Sequence, residues 1–270
     1  MRLWKIILPA VLLAALVAVG IIFLRPQEEI PQIDPVLTRF PDLPRNELDS
    51  SLLTEKDGFL QYGEERSLVG VDVSSHQGEI DWFAVKESGV DFAIIRAAYR
   101  GYTLGGLYMD PSFIQNLEGA AEAGLQLGVY LFSQAISAEE AAEEAAFVLE
   151  CLDGRTLDLP IYFDWEYVEG ESRTKYARSA VVTAAAEAFC AAIEEAGYDA
   201  GVYFNKSLGY TVLNLNRVKD YEFWLAQYLP EPDFYFGFRT WQYTDSGTVP
   251  GISTKVDLNL RFPQKEEAAQ

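Results

Sequence analysis

Four acidic side chains close short apolar runs: Asp72 in GVDVSSHQG, Asp164 and Glu166 in IYFDWE, and Asp257 in KVDLNL. Side chains alternate along a strand, so Asp164 and Glu166, two residues apart, face one side while Trp165 faces the other. Two neighbouring carboxylates cannot both ionise cheaply. One of them is pushed toward its protonated form at neutral pH and can deliver a proton. That arrangement suits cleavage of an acetal bond, in which a proton must reach the leaving oxygen while positive charge develops on a sugar. Taken singly, each acid could equally be a hydrogen-bonded structural group, so the signal is that all four fall at strand ends.

Flat rings near the same strand ends, Tyr99, Tyr130, Tyr203 and Trp241, are candidates to lie against pyranose faces. Phe132, Trp165 and Trp224 read as core. Gln227 in WLAQ and Gln242 in TWQ could hydrogen-bond ligand hydroxyl or amide groups. Other chemistries fit less well. A single histidine, His76, and two cysteines, Cys151 and Cys190, are too few for a usual zinc site, and the cysteines sit in helical patterns as thiols. No G-x-S-x-G elbow accompanies His76, which reads as a rim group. The glycine-rich stretch 101–106 lacks the Gly-Lys-Ser/Thr ending of a phosphate loop. No metal or cofactor is implied. The net charge of −20 argues against a nucleic-acid partner, which needs a basic face.

The elements that must hold these groups repeat a unit from Leu68 onward: a helical pattern, a glycine, then an apolar strand without polar alternation. EAGLQLGVYLF and EAGYDAGVYFN are two copies of it. Glycine supplies the left-handed position after a helix, and unbroken apolar strands are those covered on both faces. Strands are expected at 69–73, 92–97, 127–132, 161–164, 201–204, 223–227, 240–243 and 256–258, and helices at 82–88, 111–123, 138–152, 174–196 and 206–213. Their order predicts an α/β, TIM-like barrel of five βα units plus three further strands, with an open doubly wound sheet as the alternative.

Ahead of the barrel, Ile6–Leu24 is a run of nineteen residues without a charge. At about 1.5 Å per residue it nearly spans a hydrocarbon core of about 30 Å. Arg2 and Lys5 before it place the N-terminus in the cytoplasm and the rest outside. A cleaved signal peptide, giving a secreted protein, is the alternative. Residues 26–65 are rich in proline and charge and read as an extended spacer, with the apolar piece 58–62 able to dock on the barrel. The expected division is therefore 1–25 transmembrane anchor, 26–65 spacer outside the membrane and 66–265 barrel.

The stretches GVDVSSHQGEIDW (70–82), DFAIIRAAYRGY (91–102), GVYLFSQA (128–135), LPIYFDWE (159–166), GVYFN (201–205), FWLAQY (223–228), TWQYTDSGTVPGI (240–252) and VDLNL (256–260) resemble, in order, the glycoside hydrolase family 25 lysozymes, the Chalaropsis-type muramidases. The resemblance implies the same five-plus-three barrel and hydrolysis of the β-1,4 bond between N-acetylmuramic acid and N-acetylglucosamine in peptidoglycan. It implies Glu166 as general acid, Asp164 as its partner, and Asp72 and Asp257 as the acids of the first and last strands. It leaves open whether the substrate's 2-acetamido oxygen, water or a carboxylate attacks the anomeric carbon. The partner is then peptidoglycan glycan, met by a monomer held to the membrane by its N-terminal helix. An inactive glycan-binding barrel and a hydrolase of chitin-like chains are the competing functions.

Overall fold

The structure is a computed structural model and describes residues 39–40, 42–63 and 67–263. In chain order its strands are β1 (Leu53–Lys56), β2 (Phe59–Tyr62), β3 (Leu68–Val73), β4 (Phe92–Arg100), β5 (Leu107–Met109), β6 (Gln126–Ser133), β7 (Ile161–Trp165), β8 (Ala200–Asn205), β9 (Glu222–Ala226), β10 (Thr240–Gly247) and β11 (Val256–Arg261). The helices are α1 (Trp82–Glu87), α2 (Phe113–Glu122), α3 (Ala138–Leu152), α4 (Ser179–Glu195) and α5 (Lys206–Thr211).

Eight strands close into a barrel. β3, β4, β6, β7, β8, β9 and β10 run parallel in that order, and β11 closes the ring by pairing antiparallel with both β10 and β3. The one reversed strand arises because β10 and β11 are joined without a helix, and a short connection permits only antiparallel pairing. β5 is a ninth strand, folded back on the end of β4 outside the ring.

Local chemistry sets the helices. Asp81 caps α1 by accepting from the Ala84 N–H at 3.1 Å, and Ser137 caps α3 by accepting from the Glu140 N–H at 3.2 Å. Glu139 and Glu140 in the first turn of α3 complement its dipole, and Asp153 and Gly154 end it at φ 49° and 74°.

The core has two layers. Val71, Ile95, Val129, Leu131, Phe163, Phe204 and Leu225 point outward and meet the helices in the larger cluster. Phe92, Ile94, Tyr162, Tyr203, Trp224 and Ala226 fill the inside of the ring with Leu159. Glycines make room for these rings: a Cβ at Gly70 would stand 2.2 Å from the Phe92 ring, and one at Gly201 2.4 Å from Tyr162. At the barrel's lower end, Glu222 is held by Arg261, with Nη2 to Oε2 at 2.7 Å, and accepts from the Tyr162 hydroxyl at 2.5 Å.

Three features differ from the sequence expectation. Part of the segment assigned to an extended spacer is folded: β1 and β2 form a hairpin, Asn46 donates to the Tyr235 carbonyl at 2.8 Å, Leu60 donates to the Tyr243 hydroxyl at 3.3 Å, and Tyr62 meets the Phe262 ring edge-on. The apolar piece 58–62, expected to dock, is part of this hairpin, with Phe59 buried. β5, absent from the expected strands, pairs back on β4, and the glycine-rich stretch 101–106, expected as loop, is the turn between them. α4 starts at Ser179 and not at Thr174, because residues 173–176 form a turn and the Thr174 hydroxyl bonds elsewhere. The expected anchor, Ile6–Leu24, lies outside the described residues, among which no helix is long and apolar enough to cross a membrane.

Candidate active site

Asp72, Asp164 and Glu166 lie at the upper, C-terminal ends of the parallel strands β3 and β7, and the antiparallel β11 brings Asp257, near its own start, to the same end of the barrel, where barrel geometry places functional groups. Asp72, on β3, is buried, and its Oδ2 accepts from Gln242 Nε2 at 2.9 Å and Asn259 Nδ2 at 2.7 Å. Both amides are themselves fixed. Asn259 Oδ1 accepts from Trp224 Nε1 at 2.8 Å, and Gln242 Oε1 accepts from the hydroxyls of Tyr203 at 3.0 Å and Tyr228 at 2.9 Å.

Asp257 is directly opposite Asp72 across the β11–β3 pairing. Burial raises both carboxyls, Asp72 to about 6 and Asp257 to about 8. A hydrogen bond between them and the neighbouring charge add to the rise at Asp257. Near pH 7 Asp257 therefore carries the proton and Asp72, with two amide donors, holds the charge.

Asp164 and Glu166 come from the end of β7. Asp164 is buried, and burial followed by the charges of Glu166 and Asp72 pushes its carboxyl well above the ordinary range. Its Oδ1 has no hydrogen-bond partner among the described residues. Half-buried Glu166 is also raised, by burial first and the Asp257 charge second. The site thus concentrates four acids, each raised above its ordinary range first by burial and then by a neighbouring carboxylate.

Tyr130 lies under the acids, edge-on to Trp224 at 6.1 Å, and the Asp72, Asp164 and Asp257 charges all act on its hydroxyl. Tyr99 stacks on Tyr108 of β5 at 5.5 Å and lies beside the Arg96 guanidinium at 5.3 Å, forming a half-exposed aromatic wall on the rim. Other predicted contacts fall elsewhere. Trp241 is fully buried on the outer face of the barrel, donating to the Gln227 carbonyl at 2.8 Å, so it presents no ring to a ligand. Gln227 accepts from the Asp233 N–H at 3.0 Å and donates back to its carboxylate, folding the loop after β9. Gln242 reaches the site but is used up orienting Asp72. His76 sits exposed in a 3-10 turn, Ser75–Gln77. Cys190 is buried, Cys151 is only partly so, and both are free thiols.

Several residues emerge only from the structure. Arg96 faces the inside of the ring, pairs with Asp110 at 2.7 Å and offsets the charge around Asp164. An arginine inside the apolar run FAIIRAAYR, two residues beyond Ile94 and so on the same strand face, was its available signal. Asn259, two beyond Asp257, shares that strand face by the same rule. Among the described residues, no group of three or more His, Cys, Asp or Glu side chains could hold a metal ion.

Comparison with known proteins gives a consistent picture. The family described as Glycosyl hydrolases family 25 matches residues 71–252. An autolytic lysozyme of Clostridium acetobutylicum is 32% identical over 191 residues, covering 70% of this chain and 54% of that protein. Among solved structures, the modular autolysin LytC from Streptococcus pneumoniae superposes with a TM-score of 0.64 at 27% identity, covering 77% of this chain and 51% of that one. It has also been solved in complex with a synthetic peptidoglycan ligand. The bacterial lysozyme from Streptomyces coelicolor gives a TM-score of 0.61 at 25% identity, over 76% of this chain and 96% of that one. The chain spans about half the length of the Clostridium acetobutylicum and LytC proteins.

Proposed function

Because the chain belongs to glycosyl hydrolase family 25, we propose that it is a muramidase, hydrolysing the β-1,4 bond between N-acetylmuramic acid and N-acetylglucosamine in peptidoglycan, with Glu166 as general acid. The observation that carries this reading is the Asp164–Glu166 pair. Both carboxyls are raised, and one buried oxygen of Asp164 lacks a partner among the described residues.

That oxygen is an acceptor waiting for a donor, and the N–H of a 2-acetamido group is of the right kind. A hydrogen bond from it favours ionised Asp164. The remaining proton of the pair then resides on Glu166, which delivers it to the glycosidic oxygen as the bond to the anomeric carbon breaks. With Asp164 orienting the amide, the acetamido oxygen attacks the anomeric carbon as the leaving oxygen departs, and water then opens the resulting cyclic oxazolinium from the opposite face, giving net retention. Direct attack by water would instead invert it, whereas a carboxylate nucleophile would also retain it, so an inverted product anomer would rule out the assisted route. The Tyr99–Tyr108 wall supplies flat surface for a neighbouring pyranose.

The charge-free run Ile6–Leu24 supports a membrane anchor, with residues 66–265 as the catalytic barrel acting on wall outside the cell. The hairpin docked ahead of β3 belongs with the barrel, so the spacer is shorter than residues 26–65. The enzyme works as a monomer on nearby glycan strands. Cell fractionation that recovers a shortened, freely secreted protein would overturn the anchoring.

The activity is tested by incubating the full chain and Glu166→Gln with purified peptidoglycan, reducing the products with borohydride and weighing them by mass spectrometry. Newly reduced muramic acid ends with the wild type alone are expected. New glucosamine ends would refute the bond assignment. Glycan binding without cleavage would make the protein a binding module.

A further inference from the structure

The ladder that fixes β7 stops short of the acid it delivers. Pairing with β6 ends at Ser133 opposite Trp165, and pairing with β8 ends at Asp164 opposite Tyr203. Glu166 is the next residue, beyond both registers, where a chain leaving a barrel is ordinarily free to vary. Here its carbonyl is held by a side chain. Gln134, fully buried one residue past the end of β6, donates Nε2–H to the Glu166 carbonyl at 2.8 Å and to the Ser133 carbonyl at 2.9 Å. Its Oε1 accepts from the hydroxyl of Thr174, also fully buried, at 2.6 Å.

One primary amide thus commits both protons and its oxygen to three chain segments: the exit of β6, the exit of β7 and the turn before α4. Neighbouring bonds stiffen the same corner. Trp165 Nε1 donates to the Ala135 carbonyl at 3.2 Å, and the Ser133 hydroxyl donates to Glu144 at 2.7 Å, which is bonded to Arg100 Nε at 2.6 Å. A buried, fully satisfied amide network is costly to disturb and specifies a single geometry.

We propose that Gln134, anchored by Thr174, is a positioning residue that fixes the backbone of Glu166 and so the place of its carboxyl over Asp164 and Asp257. The inference rests on the reading of Glu166 as general acid. Gln134 faces the backbone and touches no reacting atom, so its contribution is alignment, where a displacement of about 1 Å can cost about 10²-fold.

The test measures kcat, KM and the pH dependence of kcat/KM on soluble peptidoglycan fragments for the full chain, Gln134→Leu, Thr174→Val, Thr174→Ser and Glu166→Gln. Gln134→Leu keeps the volume and loses all three bonds; its kcat should fall about 10–100-fold with KM changed less than about threefold. The upper limb of its pH profile should move to lower pH, because a carboxyl no longer held in its desolvated place loses the burial that raises it. Thr174→Val, which removes one hydroxyl without changing shape, should show the same shift in smaller measure even if Gln134→Leu does not fold, and Thr174→Ser should match the wild type. A lower melting temperature with kcat and the pH limb unmoved in the folded variants would overturn the proposal. A fully active Glu166→Gln would instead overturn the acid assignment beneath it. An inactive Glu166→Gln beside a wild-type-like Gln134→Leu would sink the positioning role alone.

Discussion

Asp72 and Asp257 stand in register across the antiparallel seam that closes the barrel, and one proton serves both carboxyls. The seam is where the ring departs from parallel pairing. Direct cross-strand opposition brings side chains closest in an antiparallel pair, so the reversed strand is what makes a shared proton geometrically available.

That sharing has a signed consequence for stability. Asp257 is raised from an ordinary 3.8 to about 8, so the folded chain binds a proton that the unfolded chain has released across that window. The associated stability is complete below about pH 4 and lost as pH rises through about 8. Asp257→Asn needs no proton. Its melting temperature should therefore fall less between pH 5 and pH 9 than that of the wild type, and parallel curves would show that Asp257 is not the proton carrier.

Glu166→Gln should keep the fold and lower kcat/KM by about 10²–10⁴-fold, the usual worth of a general acid. In the wild type, kcat/KM should decline as pH rises through the elevated Glu166 pKa, later than for an ordinary glutamate. Steady-state rates from pH 4 to 9, with circular dichroism on the variant, check both statements.

Gln242→Leu removes one of two amide donors from Asp72 and the shared acceptor of Tyr203 and Tyr228. A buried group left short of a partner costs about 1–3 kcal/mol. Urea unfolding should show a larger penalty at pH 8 than at pH 5, since Asp72 titrates at about 6 and only its ionised form depends on the donor. A pH-independent penalty would assign the whole effect to the tyrosines.

At the opposite end of the barrel, Arg261→Met strands Glu222 beside Tyr162 and Thr240. Breaking a buried ion pair from one side costs about 3–5 kcal/mol, whereas replacing both partners is often neutral. Arg261→Met should thus unfold at markedly lower denaturant, and adding Glu222→Leu should restore much of the loss. No recovery in the double variant would mean that Arg261 stabilises through packing.

Gly70→Ala drives a methyl into the Phe92 ring and should cost about 1–3 kcal/mol by overpacking. Phe92→Leu in the same chain should relieve part of it. A neutral Gly70→Ala, measured by the same urea unfolding, would show that the ring moves aside freely.

The amino-acid sequence by itself determined the series of apolar strands, because runs without polar alternation must be covered on both faces, and it determined that Asp164 and Glu166 share a side, because strand alternation is a local rule. It also placed α3 within its observed bounds through its helical pattern and the glycine after it. Closure into a ring over an open sheet came from the pairing of β3 with both β4 and β11. Alternation states which residues oppose one another, though, and not which of them face inward. Trp241 and Gln242 were both candidate ligand contacts, yet adjacent residues on one strand cannot both enter the cavity. The register of β10 between β9 and β11 turned Gln242 in and Trp241 out. Gln227, beyond the end of β9, was claimed by its own loop. The short strands β1, β2 and β5 run for only three or four residues, too few for a period to emerge, and the β1–β2 hairpin is held by contacts with distant chain. Only closure of the barrel decided which amides meet Asp72, that Asp257 shares its proton, and that a glutamine on β6's exit holds the carbonyl of Glu166. Hydrogen bonds and desolvation act between residues far apart in sequence, and no local pattern encodes their partners.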